Sequence, residues 1–511
     1  MNGDESLSVK SDEKVTSLLV QDSHLKSRAG VREFIERGSH PTSKPELQRT
    51  SDVVERDGEP YPFVIALIPA YNEQDSIQNT IESLRNQTRR PEEIIVVADN
   101  CTDDTIAIAL AAGVSVFEST NNEDGKAGAL NELLSNLLPI LDFDDCILVM
   151  DADTELTERF IELTTKTLFT ESVKPIGGVG GIFLASDDSW NLVRQLQTNE
   201  YVRYQRRLAR RRGRALVLTG TGTVFKAGVL REVQAARKSG DIPDLGQAHG
   251  VYDISALTED NELTISVKEL GYRVLSPKEC TVKTALMPTL ASLFKQRRRW
   301  QRGALENILA HGVNLHTLPY LLRQILTYLG VLFLPFYVYT LTVALVQQSD
   351  INFFQPIWIA VAVVYILEQT FSVRKGGIRS LVVSILVIPE ILMNVFLDII
   401  YVISFFGTLF ATDEKWGRMR HLQAEVSSVE DSSKTNPNTQ DEMSLHGTHE
   451  IRRRADYQFV SLMLLIVIIF TVVFLIRIPL TNLQLAWNII AVYVLIGFVA
   501  TLGRLVPVKT F

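Results

Sequence analysis

The chain has 511 residues, 46% of them hydrophobic, and a formal net charge of −8. That length accommodates a catalytic domain of ordinary size plus a second region, and the mild acidity argues against a nucleic-acid binder. Three cysteines (Cys101, Cys146 and Cys280) without a C-x-x-C pair, and eight histidines without H-E-x-x-H, speak against a disulfide framework, a zinc site and a zincin.

Residues 1–60 are polar, rich in Ser, Asp, Glu and Lys. With little to bury they are expected to be mostly disordered, apart from a short helix around Val31–Glu36. The start, Met1-Asn2-Gly3-Asp4-Glu5, has no basic segment followed by an apolar core. No signal peptide is expected, and the first folded part is expected in the cytosol.

From Phe63 the pattern alternates. Phe63–Pro69 reads as a buried strand, Asp75–Asn86 as a helix, Glu93–Asp99 as a strand and Asp103–Ala111 as a helix. A strand over Val114–Phe117, a helix over Ala127–Leu137 and a strand over Cys146–Met150 follow. Strands alternating with helices imply a mainly parallel sheet covered on both faces. Ligands bind such sheets beyond the carboxyl ends of the strands, where Asp99, Asp151 and Asp153 fall. The Gly177-Gly178-Val179-Gly180-Gly181 run fits no dinucleotide fingerprint and reads as turn glycine.

Trp190–Arg214 carries seven arginines between Arg203 and Arg214, with Trp190, Tyr201 and Tyr204 nearby. It reads either as a solvated helix face or as an amphipathic helix on anionic lipid. From Tyr320 the composition turns apolar. Leu321–Val346 and Pro356–Val373 are long enough to span a bilayer, and so are Phe459–Ile476 and Leu485–Leu502. Leu381–Ala411 is longer than one span needs. The Arg/Lys clusters favour a hairpin or re-entrant pair there, with Glu390 and Asp398 facing protein or water. Phe371-Ser372-Val373-Arg374-Lys375-Gly376 reads as a positive-inside loop.

D-x-D at Asp151 and Asp153 has two readings. Asp153-Thr154 would cap a helix, or the two carboxylates would hold Mg²⁺ or Mn²⁺ against a leaving nucleoside diphosphate. The neighbours favour the second. Pro69-Ala70-Tyr71-Asn72-Glu73 and Asp99-Asn100-Cys101-Thr102-Asp103 each follow a strand. Gly125-Lys126 opens a helix where a phosphate would meet free N–H groups and a lysine. Thr219-Gly220-Thr221-Gly222, Thr258-Glu259-Asp260 and Gln296-Arg297-Arg298-Arg299-Trp300 come later.

This ordered series resembles family 2 glycosyltransferases. More narrowly, it resembles their membrane-embedded branch, which includes cellulose, hyaluronan and poly-N-acetylglucosamine synthases. The resemblance covers about residues 62–420. It implies an α/β GT-A (Rossmann-like) cytosolic catalytic domain plus an α-helical transmembrane region. The divisions are a polar N-terminus (1–60), the GT-A domain (61–303), an interface helix with transmembrane helices (304–411), a polar cytosolic linker (412–456) and two C-terminal spans (457–511).

The resemblance also implies roles. Ala70, Tyr71 and Glu73 would line the uridine pocket and Asp99 would contact the base. Lys126 would lie near the nucleotide. Asp151 and Asp153 would bind sugar diphosphate and the cation. Asp260 would be the catalytic base. Gln296 and Arg299 would hold the diphosphate, while Trp300, Thr219, Gly220 and Glu259 would face the acceptor. One departure is Ala98, where the family commonly has the first of two paired carboxylates. The Phe371–Gly376 loop is similar to the gating loop of cellulose synthases, but is one residue short and lacks its Thr.

The expected activity is inverting transfer from UDP-N-acetylglucosamine or UDP-glucose to a growing β-linked polysaccharide, coupled to export by a multi-pass protein of the plasma (inner) membrane. The nearest rival is a non-processive enzyme with a lipid or lipid-linked acceptor. A transporter with a cytosolic regulatory domain is a rival of another class. The oligomeric state stays open.

Overall fold

The computed structural model describes residues 62–119, 121–185, 190–331 and 356–410. The expected helix at Val31–Glu36, the linker 412–456 and the spans Phe459–Ile476 and Leu485–Leu502 lie outside them. So does most of Leu321–Val346. The chain divides into two compact units, each taken by itself below. The first comprises residues up to 188, 212–255 and 259–286; the second comprises 189–211, 256–258 and 287 onward.

In the first unit, Val64–Ala70 forms strand β1, seven residues without a polar side chain and buried along their whole length. A strand apolar on both faces must have neighbours on both edges and layers above and below. Its neighbours are β2 (Glu93–Ala98) and β4 (Cys146–Val149), both parallel, with Leu67 opposite Ile95 on one side and Val149 on the other. Strand β3 (Ser115–Glu118) extends the parallel edge beyond β2. Helices α1 (Ile77–Arg85), α2 (Thr105–Ala111) and α3 (Gly125–Leu137) make the crossovers. The chain therefore winds outward from β1 through β2 and β3, then returns to β1's other edge as β4. That reversal opens a crevice at the carboxyl ends of β1 and β4, and Tyr71 and Asp151 leave the sheet there.

Beyond β4 the sheet becomes mixed. After β5 (Thr154–Leu156) and α4 (Phe160–Leu168) come β6 (Ile176–Gly180) and β7 (Ile182–Ala185). Then follow β8 (Thr223–Lys226), β9 (Arg273–Leu275) and β10 (Thr281–Thr284). The seven-stranded order is β3-β2-β1-β4-β8-β6-β9, with β8 antiparallel to both neighbours; β5, β10 and β7 form a smaller sheet.

The glycine run read as a turn is instead strand β6, buried throughout. A Cβ on Gly178 would stand 2.8 Å from the Phe225 ring and 2.9 Å from Leu218. One on Gly177 would meet Tyr272 at 2.8 Å. The glycines serve close packing on both faces of a central strand, which the spacing of a single sequence does not separate from a turn.

In the second unit, the basic segment forms α5 (Leu192–Arg210), capped by Asn191, whose side chain accepts from Val193 N–H at 2.8 Å. A uniformly solvated face does not describe it. Arg203 donates to both oxygens of Glu390 (2.8 and 2.9 Å), and Asn199 donates to Glu390 at 2.7 Å. Glu390 is 4% exposed, so it faces protein, as an acid inside an apolar segment requires.

That apolar segment breaks at Val387, whose φ of 60° is costly for a β-branched residue. A pair of unequal helices results. Pro356–Ser372 forms α9, Gly377–Leu386 forms α10 and Ile388–Phe410 forms α11. Ten residues of helix rise about 15 Å, half a bilayer core of about 30 Å, so α10 is too short to cross. Among the described residues, one helix, over Ile388–Thr408, is long and apolar enough to cross a membrane, with mean hydropathy 1.9.

If β6 is a packed strand, Gly178→Ala must push into Phe225 and Leu218. A loss of about 1–3 kcal/mol in unfolding free energy is expected. Thermal unfolding of the two proteins side by side would show it, and an unchanged midpoint would restore the turn reading.

Candidate functional site

The site begins where the parallel strands end. After β1, Asn72 takes a φ of 56°, and after β2, Asn100 takes 51°. Asparagine tolerates this left-handed geometry better than other side chains. The two loops are stitched together: Asn72 Oδ1 accepts from Thr102 N–H at 2.7 Å, and Asp99 N–H donates to the Ala70 carbonyl at 2.9 Å. Ala70 itself is buried in the core, while Tyr71 is 63% exposed. Glu73 accepts from the Ser76 hydroxyl at 2.7 Å.

Asp99 is buried, and its Oδ1 accepts from Asn100, Ser119 and Asn122 side chains at 2.9, 3.2 and 2.8 Å. Asn122 also holds the Gly125 carbonyl at 2.8 Å, which ties Asp99 to the start of α3. A Cβ on Gly128 would fall 2.1 Å from Asn122 Oδ1, so this link needs a glycine in the first turn of the helix.

Lys126, the second residue of α3, is the hub. Its Nζ lies 2.7 Å from Asp151 Oδ1 and 3.0 Å from Glu259 Oε1. Burial alone would lower its pKa, but Asp151, Glu259 and Asp260 together hold the ammonium well above its ordinary value. Glu259 and Asp260 open helix α7 (Glu259–Glu269), whose N-terminal dipole suits acidic residues. Asp260 Oδ1 accepts from Asn261 N–H at 2.8 Å, a bond to the next residue within the first turn. Oδ2 accepts from Gly220 N–H at 2.9 Å, which no cap explains.

Burial and the neighbouring Glu259 carboxylate push the Asp260 pKa up to about 6, against the opposing charge of Lys126. Gly220 sits among these groups: a Cβ there would stand 3.1 Å from Lys126 Nζ and 3.6 Å from both Asp151 Oδ2 and Asp260 Oδ2. Thr264 locks the arrangement by accepting from Leu218 N–H at 3.0 Å and donating to the Asp260 carbonyl at 2.7 Å.

Asp153 is the acid of the pair that Lys126 does not bind. Withdrawal of water, then the charges of Asp151 and Glu73, raise its pKa. Crowded carboxylates of this kind fit a hard divalent cation. Among the described residues no three His, Cys, Asp or Glu side chains converge closely enough to hold a metal by themselves.

The structure thus brings together Lys126, Asp151, Gly220, Glu259 and Asp260. Thr219 lines the same pocket. Glu259, expected at the acceptor, is engaged by Lys126. Gln296, Arg299 and Trp300 lie on α8 (Leu290–His311) in the second unit. Gln296 Oε1 is buried without a hydrogen-bond partner, Arg299 is exposed, and the Arg297 guanidinium lies 4.5 Å from the Trp300 ring centre. Nothing in the sequence pattern marks Tyr252 or Asn131 as site residues. Tyr252 is a lone aromatic in a polar loop, without periodicity to mark it, and it lines the pocket beside Lys126 and Asp260.

Residues 60–303 match the family model described as glycosyltransferase like family 2. The chain is similar to the poly-β-1,6-N-acetyl-D-glucosamine synthase of Staphylococcus aureus strain MSSA476, 24% identical over 255 residues, covering 48% of this chain and 55% of that protein. The Staphylococcus epidermidis synthase is also 24% identical, over 259 residues, with the same coverage. The chain spans about half the length of the curated relatives it matches. Among solved structures, a Pyrobaculum calidifontis mannosyltransferase in complex with GDP-Man and Mn²⁺ aligns with a TM-score of 0.47 at 16% identity, over 77% of this chain and 98% of that one. Glucosyl-3-phosphoglycerate synthase from Mycobacterium tuberculosis, with Mn²⁺, UDP and phosphoglyceric acid, aligns at 0.31 and 18% identity, over 48% and 78%.

Two outcomes test this geometry. If Asp260 is the base, it must be ionised to accept a proton, and its raised pKa keeps it protonated over a wider acidic range. Transfer, measured as kcat/KM against pH, should fall as pH drops through about 6; a profile flat from pH 7 to 5 would contradict it. Gly220→Val, which puts a branched side chain among Lys126, Asp151 and Asp260, should cut transfer about 100-fold without lowering the unfolding temperature by more than a few degrees.

Proposed function

With residues 60–303 belonging to the glycosyltransferase family 2-like class, we propose that this enzyme moves a hexose from a UDP-sugar, with inversion, to a growing β-linked polysaccharide. The observation that carries the reading is the placement of Asp260. It is a carboxylate of raised pKa, fixed by Gly220 N–H and set beside the Lys126–Asp151 pair.

In this reading Asp260 takes the proton of the acceptor hydroxyl as that oxygen attacks the anomeric carbon. Its Oδ2 is oriented by Gly220 and its Oδ1 by Asn261, so the base meets the acceptor in a fixed orientation. Lys126, held cationic, offsets charge on the donor side. Asp151 and Asp153 would hold Mg²⁺ or Mn²⁺, which when bound neutralises negative charge on the departing diphosphate. Asp99, with its Oδ1 fixed by three donors, would present its other oxygen to the uracil. Ala70, Tyr71 and Glu73 would border that pocket. Gln296 and Arg299 would grip the diphosphate and Trp300 would stack on the acceptor sugar.

UDP-N-acetylglucosamine leads UDP-glucose as donor because the relatives are named as N-acetylglucosamine polymer synthases. The same reading takes the chain as a multi-pass membrane protein with a cytosolic catalytic domain, supported by α11 and by the apolar runs of the sequence. Export of the product belongs to it.

Membranes carrying the enzyme, supplied with Mg²⁺ or Mn²⁺ and a panel of labelled UDP-sugars, test donor and product together. A ladder or polymer supports the polysaccharide reading, and a single organic-soluble glycolipid would replace it with the lipid-acceptor reading. Asp260→Asn should lower transfer by at least about 100-fold while UDP binding stays measurable. Normal turnover in that variant would remove Asp260 as the base.

A further inference from the structure

Helix α7 does more than carry Glu259 and Asp260. Three of its side chains, four residues apart and so on one face, hold the backbone of the segment that leads into β8. Asp260 Oδ2 accepts from Gly220 N–H at 2.9 Å, and Thr264 Oγ1 accepts from Leu218 N–H at 3.0 Å. Lys268 Nζ donates to the Ala215 carbonyl at 3.1 Å and also to the Leu216 carbonyl. The rungs fall at 260, 264 and 268 on the helix and at 220, 218 and 216 on the segment, so the two run in opposite directions. Four helical residues rise about 6 Å, a distance that two residues of near-extended chain can span.

Residues 215–221 belong to no strand of either sheet, so no ladder fixes their register. A backbone without a ladder must find its partners elsewhere, and here α7 supplies them. The helix is itself a fixed reference. On its opposite face Glu262 accepts from the Ser266 hydroxyl at 2.8 Å and makes a fully buried ion pair with Arg237 of α6 (Ala227–Ser239).

Lys268 is the rung that packing does not explain. A lysine in the last turn of a helix suits the dipole, yet this ammonium donates to carbonyls of another segment. Burial pushes its pKa down to about 8, as expected of a cation partly withdrawn from water. An apolar side chain would fill the space without that penalty. Two carbonyls meeting at one point call for a group with several donors, which an ammonium has.

We propose that Lys268 is a positioning residue for transfer: by anchoring Ala215 and Leu216 at the far end of α7 it sets the register of the segment, and so holds Gly220 N–H on the Asp260 carboxylate. It acts through Gly220 and not on the substrate, since eight helical residues set it about 12 Å along the axis from Asp260. The inference rests on the reading of Asp260 as the base. The titratable groups around Asp260 are Glu259, Lys126, Tyr252 and Asp151. Burial and Glu259 raise its pKa, while Lys126 and the Asn261 and Gly220 N–H donors lower it.

The test compares the full-length enzyme, in membranes or detergent, with Lys268→Met, Thr264→Val and the double variant, using the better donor of UDP-N-acetylglucosamine and UDP-glucose. Lys268→Met should lower kcat about 10-fold and leave UDP affinity within about twofold. The acid limb of kcat/KM should move up by about one pH unit, because a carboxylate that loses the Gly220 donor holds its proton more tightly. Thr264→Val, which changes no charge, should move the limb the same way. The double variant should move it no further than the larger single shift, because both act on one segment.

An unmoved limb in Lys268→Met would overturn the inference whether or not turnover falls; together with a lowered unfolding temperature it would leave Lys268 a stabilising role only. Shifts that add in the double variant would also overturn it, because the lysine charge would then act on Asp260 directly. A wild type that uses no UDP-sugar, or one whose profile is flat, would overturn the reading of Asp260 and this inference with it. Either result is distinct from a wild type with an acid limb at about 6 and an indifferent Lys268→Met.

Discussion

Everything in the first unit depends on holding several carboxylates around one ammonium. Lys126 touches Asp151 and Glu259, and Asp260 stands within reach of its charge. Two unit charges 3 Å apart interact by about 5 kcal/mol at an effective dielectric of 20, so the lysine binds the cluster strongly. It cannot neutralise all of it. Asp153, with Asp151 and Glu73 nearby, remains a site of excess negative charge. An anionic diphosphate would be repelled from such a place unless positive charge arrived with it. In the proposed reading, that excess is what a divalent cation arriving with the substrate would neutralise.

The fold supplies this cluster from distant parts of the sequence. Lys126 comes from the helix after β3, Asp151 from the loop after β4, Gly220 from the approach to β8 and Asp260 from the first turn of α7. The reversal of strand order at β1 opens the crevice. Antiparallel β8 then returns the Leu218–Gly220 segment alongside β4, where Val149 pairs with Thr223. The glycine at 220 lets the backbone come close enough to donate to the Asp260 carboxylate. The glycines of β6 serve the same end less directly, because they let Phe225 and Leu218 pack flat against the sheet.

The second unit follows different rules. Its buried acid Glu390 is paired with Arg203 and bonded by Asn199. Glu390 lies in the first turn of α11, where the helix dipole favours a carboxylate. A basic helix is thereby joined to an apolar one through a buried, fully bonded acid. Arg206 and Arg374 also lie over the Phe371 ring, at 4.8 and 4.0 Å.

Much of this was legible in the sequence. Apolar runs of strand length marked β1, β2 and β4, because a strand buried on both faces must be apolar throughout. The acids at their ends marked the crevice, because charges at the edge of such a sheet need a reason. The order of the motifs pointed to the family whose model residues 60–303 match. Other features were not legible. A glycine run reads alike whether it turns or packs, and only the neighbours Phe225, Leu218 and Tyr272 decide that it packs. Glu259 carries no local sign that it would meet Lys126, 133 positions earlier in the chain. Tyr252 has no periodicity and no motif, and only the Asn131 clasp on its backbone and its place in the pocket lining set it apart. Sequence determined which groups carry charge and which segments must be buried, since both are properties of single residues and short patterns. Which charge meets which depended on contacts between residues far apart in the chain, so the tertiary structure alone decided it.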